Sequence, residues 1–304
     1  MDGLAGFYHT RRILDFSGAE RAVGLQVRDM ESLEALVLGL FDLADRAGVR
    51  QVKQLQAYYR PIGIRPTDRK EASEALVRIL RERDPADAPE ARAGRWPGVD
   101  GVRAAEREDT PFARCRREAD TVQDYLLGRI LEEAGRRGMP YQIHTGMTTL
   151  EWSDPAQLEP LFARHPGVRF VLLHTYPFQS AAACMARTHP NVWLDTSWQV
   201  LQAPGILETT LSEWIGMAPE TRITLSMDAT CLEEFEGAAA MTRTILARLL
   251  DRRIRQGDTT PAGALQTARR LLRDNAADLY GGPAWPSEGS DPVPHFPNDT
   301  GGTP

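Results

Sequence analysis

The sequence predicts an α/β fold, a TIM-like (β/α)8 barrel, and three observations predict it. Short apolar runs recur through the second half of the chain, and each is followed by a stretch with helical spacing. Two of these runs, Tyr141-Gln142-Ile143-His144-Thr145 and Val171-Leu172-Leu173-His174-Thr175, carry histidines 30 residues apart, the length of one strand, helix, strand unit. Two more, Asn191-Val192-Trp193-Leu194-Asp195 and Arg222-Ile223-Thr224-Leu225-Ser226-Met227-Asp228, follow after 21 and 33 residues and end in aspartates. Parallel strands of a barrel finish at one rim, where barrel enzymes keep their chemistry. Neutral imidazoles and ionised carboxylates gathered there are ligands for a divalent cation, zinc first, with manganese or iron as alternatives.

Taken in order, residues 1–48 hold one candidate strand, Ala22 to Val27, then an amphipathic helix from Met30 to about Ala47 that Gly48 closes. From Gly48 to Tyr59, Val, Gln and Leu alternate with period two, so this segment reads as a strand with Lys53 inside it. Residues 61–110 are rich in Pro, Asp, Arg and Ala and predict a helical insertion with an irregular loop, lying over one rim. Asp120 to Arg137 places Val122, Tyr125, Leu126, Ile130 and Leu131 on one side of a helix, which Gly138 terminates. Helices are expected again over 158–164, 181–188, 206–215, 233–255 and 262–280. Beyond Gly281 prolines and glycines replace apolar residues, which predicts a disordered tail over 282–304 behind a single domain of residues 1–281.

A net charge of −6 and a pI near 5.6 exclude a nucleic-acid-binding surface, which needs a positive stripe to displace counterions. The expected partner is a small-molecule substrate, with homo-oligomerisation left open. No apolar run reaches membrane-spanning length and the N-terminus lacks a secretory pattern, so a cytoplasmic protein without a membrane partner is expected. Cys115, Cys184 and Cys231 have neither even number nor CxxC spacing, and packing on helices is their expected role. Of 36 basic residues only Lys53 and Lys70 are lysines. Lys70 lies in a polar turn. Lys53, on a strand, could lose its proton, form a Schiff base, or become a metal-binding carbamate; a side chain snorkelling from a strand end is the alternative.

These residues resemble the amidohydrolase superfamily, specifically its amidohydrolase-related (amidohydrolase 2 type) metal-dependent barrel hydrolases, over about residues 48–281. In that family one histidine ends the fifth strand, another the sixth, and an aspartate the eighth; His144, His174 and Asp228 match those positions. Leu271 to Gly281 looks like the family's closing helix, and Lys53 falls where some members carry a carbamylated lysine. The resemblance implies a hydrolase acting on a C–N or C–O bond, with His144, His174, Asp228 and Lys53 as metal ligands. Asp228 would also be the general base and His174 would help polarise the substrate. A decarboxylase or hydratase with the same ligands is the alternative within the family, and a non-catalytic barrel that has lost its metal is another.

The family's first strand carries a His-x-His pair, and none exists in these 304 residues. Only His9 lies near the N-terminus. Either the barrel is incomplete at its N-terminal side, the favoured expectation, or the site is altered. Asp195 has no ligand role in the family pattern and is expected to accept hydrogen bonds that hold His174 or a rim loop. Trp152, Tyr176 and Trp198 follow strand ends and either wall a pocket or pack against loops. His165 and His189 each precede a proline, which places them at the opposite rim.

Overall fold

The computed structural model describes residues 16–58, 60–81 and 111–281. His9, residues 82–110 of the expected insertion and the expected tail 282–304 lie outside the described residues. Five parallel strands, β1 (Val52–Gln54), β2 (Tyr141–Thr145), β3 (Phe170–His174), β4 (Val192–Asp195) and β5 (Ile223–Thr224), form one sheet in sequential order. Helices separate consecutive strands, so each crossover has the repeating strand, helix, strand form that the histidine spacing predicts. A closed barrel of this kind has eight strands; five are present among the described residues, and β1 and β5 are the sheet's edges.

The expected strand at Ala22 to Val27 is instead the end of a helix, Ser17–Val23, and the loop after it. Ala, Glu and Arg favour a helix there, Phe16 and Ala19 are buried by it, and Gly24 stops it in the left-handed conformation at φ 76°. The next helix, Met30–Arg46, begins as expected. Asp29 accepts from the Ser32 backbone N–H while the Ser32 hydroxyl accepts from that of Asp29, a reciprocal cap. The period-two stretch from Gly48 gives only three strand residues before a 3-10 turn at Gln56–Tyr58.

Helix Arg69–Arg81 buries Ala72, Ala75, Leu76 and Ile79 and packs on helix Pro111–Arg136. Within the described part of the insertion, helix Arg69–Arg81 belongs to the outer helical layer, while Ile62 and Gly63 donate backbone bonds to the Trp152 carbonyl and to Gln157 Oε1 in the segment after β2, at 2.9 and 3.3 Å. Cys184 and Cys231 are exposed, contrary to the packing expected of them: the first lies on helix Gln179–Thr188, whose buried side is taken by Ala182, Ala183, Met185 and Ala186, and the second only precedes helix Leu232–Gln256.

One apolar core lies between the sheet and its helices, with Val52, Ile143, Phe170, Leu172, Leu194 and Ile223 as the strand contribution. A smaller cluster on the other face joins Val171 and Leu173 to Leu279, with Trp193 and Tyr280 packed against it. The last helical segments supply that cover. Pro261–Arg269 passes through a π turn, Arg270–Asp274, into Asn275–Tyr280. The Asn275 amide then donates to the carbonyls of Glu220 and Ile223 at 2.6 and 2.7 Å, and Gln142 donates to the Tyr280 hydroxyl at 2.8 Å.

Candidate active site

Register places the chemistry. Lys53, Gln142, Val171 and Trp193 form one row across the strands. His144, Leu173, Asp195 and Thr224 form the row two residues further on, on the same face. His174 is one residue past Leu173, so strict alternation would turn it to the helical side. It leaves the extended conformation at φ 67°, and its ring centroid comes to 4.3 Å from that of His144. All five non-glycine residues with positive φ among those described, Met147, His174, Thr175, Trp198 and Asp228, lie at or just past the ends of β2 to β5 at this rim. Such conformations cost about 1–3 kcal/mol each and persist where surrounding contacts impose them.

Those contacts are specific. His174 Nδ1 is 2.9 Å from the Ser197 carbonyl oxygen. A carbonyl only accepts, so Nδ1 carries the proton and the lone pair of the neutral ring sits on Nε2. Gln199 donates from Nε2 to the His174 carbonyl and to Thr175 Oγ1, the latter at 3.2 Å. His144 and His174 are 1% and 0% exposed, and the Nε2 atom of each is buried with no hydrogen-bond partner. Asp228 Oδ2 lies 3.7 Å from His174 Nε2 on a side chain that is 44% exposed. Burial lowers the His144 pKa to about 3, with the charges of His174 and Lys53 acting the same way and a backbone bond at Gly146 opposing them. Burial also lowers that of His174; Lys53 adds to this, while the Ser197 bond, Asp228 and Asp195 oppose it. Both rings are therefore neutral near pH 7.

The result is an electron-rich cluster: two buried imidazole lone pairs beside a carboxylate. Lys53 is half-buried near it, its pKa lowered by burial against the pull of Asp228 and Asp195. Unpaired buried acceptors of this kind are costly unless an electrophile meets them. The donors suit a divalent cation, although no three His, Cys, Asp or Glu side chains among the described residues are grouped closely enough to enclose one as they stand. Two imidazoles are in place, with the partly exposed Asp228 side chain next to one of them.

Asp195 is 2% exposed and fully engaged. Its Oδ1 accepts from the Ser197 backbone N–H at 2.8 Å, from the Ser197 hydroxyl, and from the Ser226 hydroxyl at 2.5 Å; its Oδ2 accepts from Thr224 Oγ1 at 2.6 Å. These bonds fasten the rim loop, whose Ser197 carbonyl is the group that meets His174 Nδ1. Trp198, next in sequence, lies 5.3 Å from the His174 ring and 6.4 Å from that of His144, whereas Trp152 is buried away in packing and Tyr176 is 36% exposed. Tyr58, which sequence patterning leaves unmarked, packs its ring at a tilt against His144, with centroids 4.6 Å apart. His165 and His189 end the helices that precede β3 and β4, at the far rim.

The family profile for amidohydrolases matches residues 76–282, most of the chain. The chain belongs to the amidohydrolase family. It is 34% identical over 177 residues to the protein fluG of Emericella nidulans, a match covering 54% of this chain and 20% of that protein. Among solved structures it is similar to a glucuronate isomerase from Caulobacter crescentus (TM-score 0.67, 15% identity, 94% of this chain and 58% of that one). It is also similar to a uronate isomerase from Thermotoga maritima (TM-score 0.65, 13% identity, 86% and 56%). At these identities the likeness shows the amidohydrolase fold, a TIM-like barrel. This amidohydrolase chain thus spans about a fifth of its curated relative and under two thirds of those structures. No helix among the described residues is long and apolar enough to cross a membrane.

Proposed function

We propose that this amidohydrolase is a metal-dependent hydrolase that opens a C–N or C–O bond of a small molecule, an amide, a lactone or a related group. The observation that carries the reading is the pair of partnerless Nε2 atoms of His144 and His174 beside the Asp228 carboxylate. Those three residues would hold a divalent cation, zinc first. Lys53 would join them as its carbamate, since the free ammonium would repel the ion. When bound, such an ion lowers the pKa of a water molecule and polarises the substrate carbonyl.

The chain's own residues supply the rest. His174, with its proton fixed on Nδ1, offers Nε2 to the site. Asp228, exposed at the rim, accepts the proton of the attacking water and returns it to the leaving group. Tyr58 and Trp198 flank the imidazoles and limit water around them.

Elemental mass spectrometry of the purified chain beside a His144→Ala/His174→Ala variant tests this reading. One or more equivalents of zinc, manganese or iron in the parent and none in the variant is the expected result, followed by turnover of amides or lactones that Asp228→Asn slows by about 100-fold or more. A folded parent that takes up no metal when zinc is added overturns it.

A further inference from the structure

We infer that Asp195 is a positioning residue that sets the tautomer of His174 through the backbone of Ser197. Two bonds from Ser197, one from its N–H and one from its hydroxyl, end on the same Asp195 oxygen, so the residue is fastened at both its main chain and its side chain. The peptide carbonyl on its other side is then fixed 2.9 Å from His174 Nδ1. The carboxylate in turn is held by Thr224 at the end of β5 and by Ser226, whose hydroxyl also meets that of Ser197 at 2.6 Å. Asp195 itself ends β4. The line therefore runs from two strand ends, through one loop residue, to a ring nitrogen that Asp195 never touches.

The chemistry of the donors makes the carboxylate specific. The groups facing Asp195 are one backbone N–H, which only donates, and three hydroxyls, which donate to it here, and an ionised carboxylate is acceptor-only. An asparagine keeps only one acceptor oxygen: with its NH₂ on the Oδ1 side it loses the Ser197 N–H bond, and with its NH₂ on the Oδ2 side Thr224 Oγ1 must turn to accept it, so the anchor held by the ionised carboxylate is weakened. The Ser197–Trp198 peptide would then rest on one bond, from the Trp198 N–H to the Met227 carbonyl at 3.2 Å, and its carbonyl would be less firmly aimed at the ring. His174, 0% exposed and without another partner for Nδ1, would gain by placing its proton on Nε2 towards Asp228. That exchange would remove the lone pair from the side of the ring that faces the site.

The test reads the ring directly. In protein labelled with ¹⁵N-histidine, long-range ¹H–¹⁵N spectra distinguish Nδ1–H from Nε2–H for each of the six histidines. The parent should show His174 as Nδ1–H, Asp195→Asn should move it to Nε2–H, and Ser197→Ala, which keeps the backbone bond, should give a mixture. His144 should not change. The same proteins titrated with zinc should bind it about 10–100-fold more weakly in Asp195→Asn. A His174 that stays Nδ1–H in both folded variants overturns the inference, and Ser197→Ala alone decides if Asp195→Asn does not fold. The tautomer is read without metal, so a parent that binds no zinc would sink the hydrolase reading and leave this one standing.

Discussion

Gly146 follows β2 with φ 61°, and a Cβ built on it would stand 2.1 Å from the Tyr176 carbonyl oxygen. The same oxygen accepts from the Met147 N–H at 2.8 Å, so the loops after β2 and β3 are clamped together at the point where no side chain fits. Gly146→Ala should cost upwards of about 2 kcal/mol in urea unfolding, combining left-handed strain with a backbone clash. A loss under about 0.5 kcal/mol would show that the clamp yields. At this scale the sequence was partly legible. His144, His174 and Asp228 stand out because chemistry-bearing residues end apolar runs. The Ser197 carbonyl has no side-chain signature, and nothing in periodicity distinguishes Tyr58 from a strand residue. The reversal of His174 onto the inner face depends on one backbone angle, which alternation cannot foretell.

Between elements, Arg60 ties the segment after β1 to helix Pro111–Arg136. It is 6% exposed, forms a short ion pair with Asp124, and donates to Gln123 Oε1 and the Asp120 carbonyl, each at 3.2 Å. Burial raises the Asp124 pKa even against the Arg60 charge. Arg60→Ala would strand that carboxylate, and a loss of about 3–5 kcal/mol is expected in thermal or denaturant unfolding, with Asp124→Asn restoring part of it in the double variant. Equal stability of parent and Arg60→Ala would mean that water replaces the guanidinium. Helix Met30–Arg46 and the strands around His144 and His174 could be read from spacing. Ala22 to Val27 could not, because three apolar residues at alternate positions fit a short strand and a helix end equally well, and burial of Phe16 and Ala19 decided it.

Across the whole molecule, Glu133 and Arg137 join two outer helices. Glu133 accepts from Arg136 Nε at 2.8 Å and Arg137 Nε at 2.6 Å, while Arg137 reaches Asp42 at 2.7 Å and also Asp45 on helix Met30–Arg46. The Arg136 hydrogen bond, reinforced by Arg137, lowers the Glu133 pKa from 4.5 to about 2. A lowered carboxylate pKa means that the unfolded chain takes the proton first. The stability it contributes is complete above about pH 4.5 and is lost as pH falls towards 2. The urea midpoint should therefore decline through that window in the parent and decline less in Glu133→Gln; parallel curves would remove Glu133 from the acid response. The parallel sheet itself was legible from the spacing of four strand ends. Its inner cover was not, since the sequence predicts one unbroken helix over 262–280. The π turn at Arg270–Asp274 adds one residue to a turn, which advances everything after it by about 100° around the axis. Asn275, Leu279 and Tyr280 owe their angular phase to that extra residue. An uninterrupted helix would carry the same side chains out of step with the sheet, so the floor beneath the two histidines is fixed by a count of residues as much as by their kind.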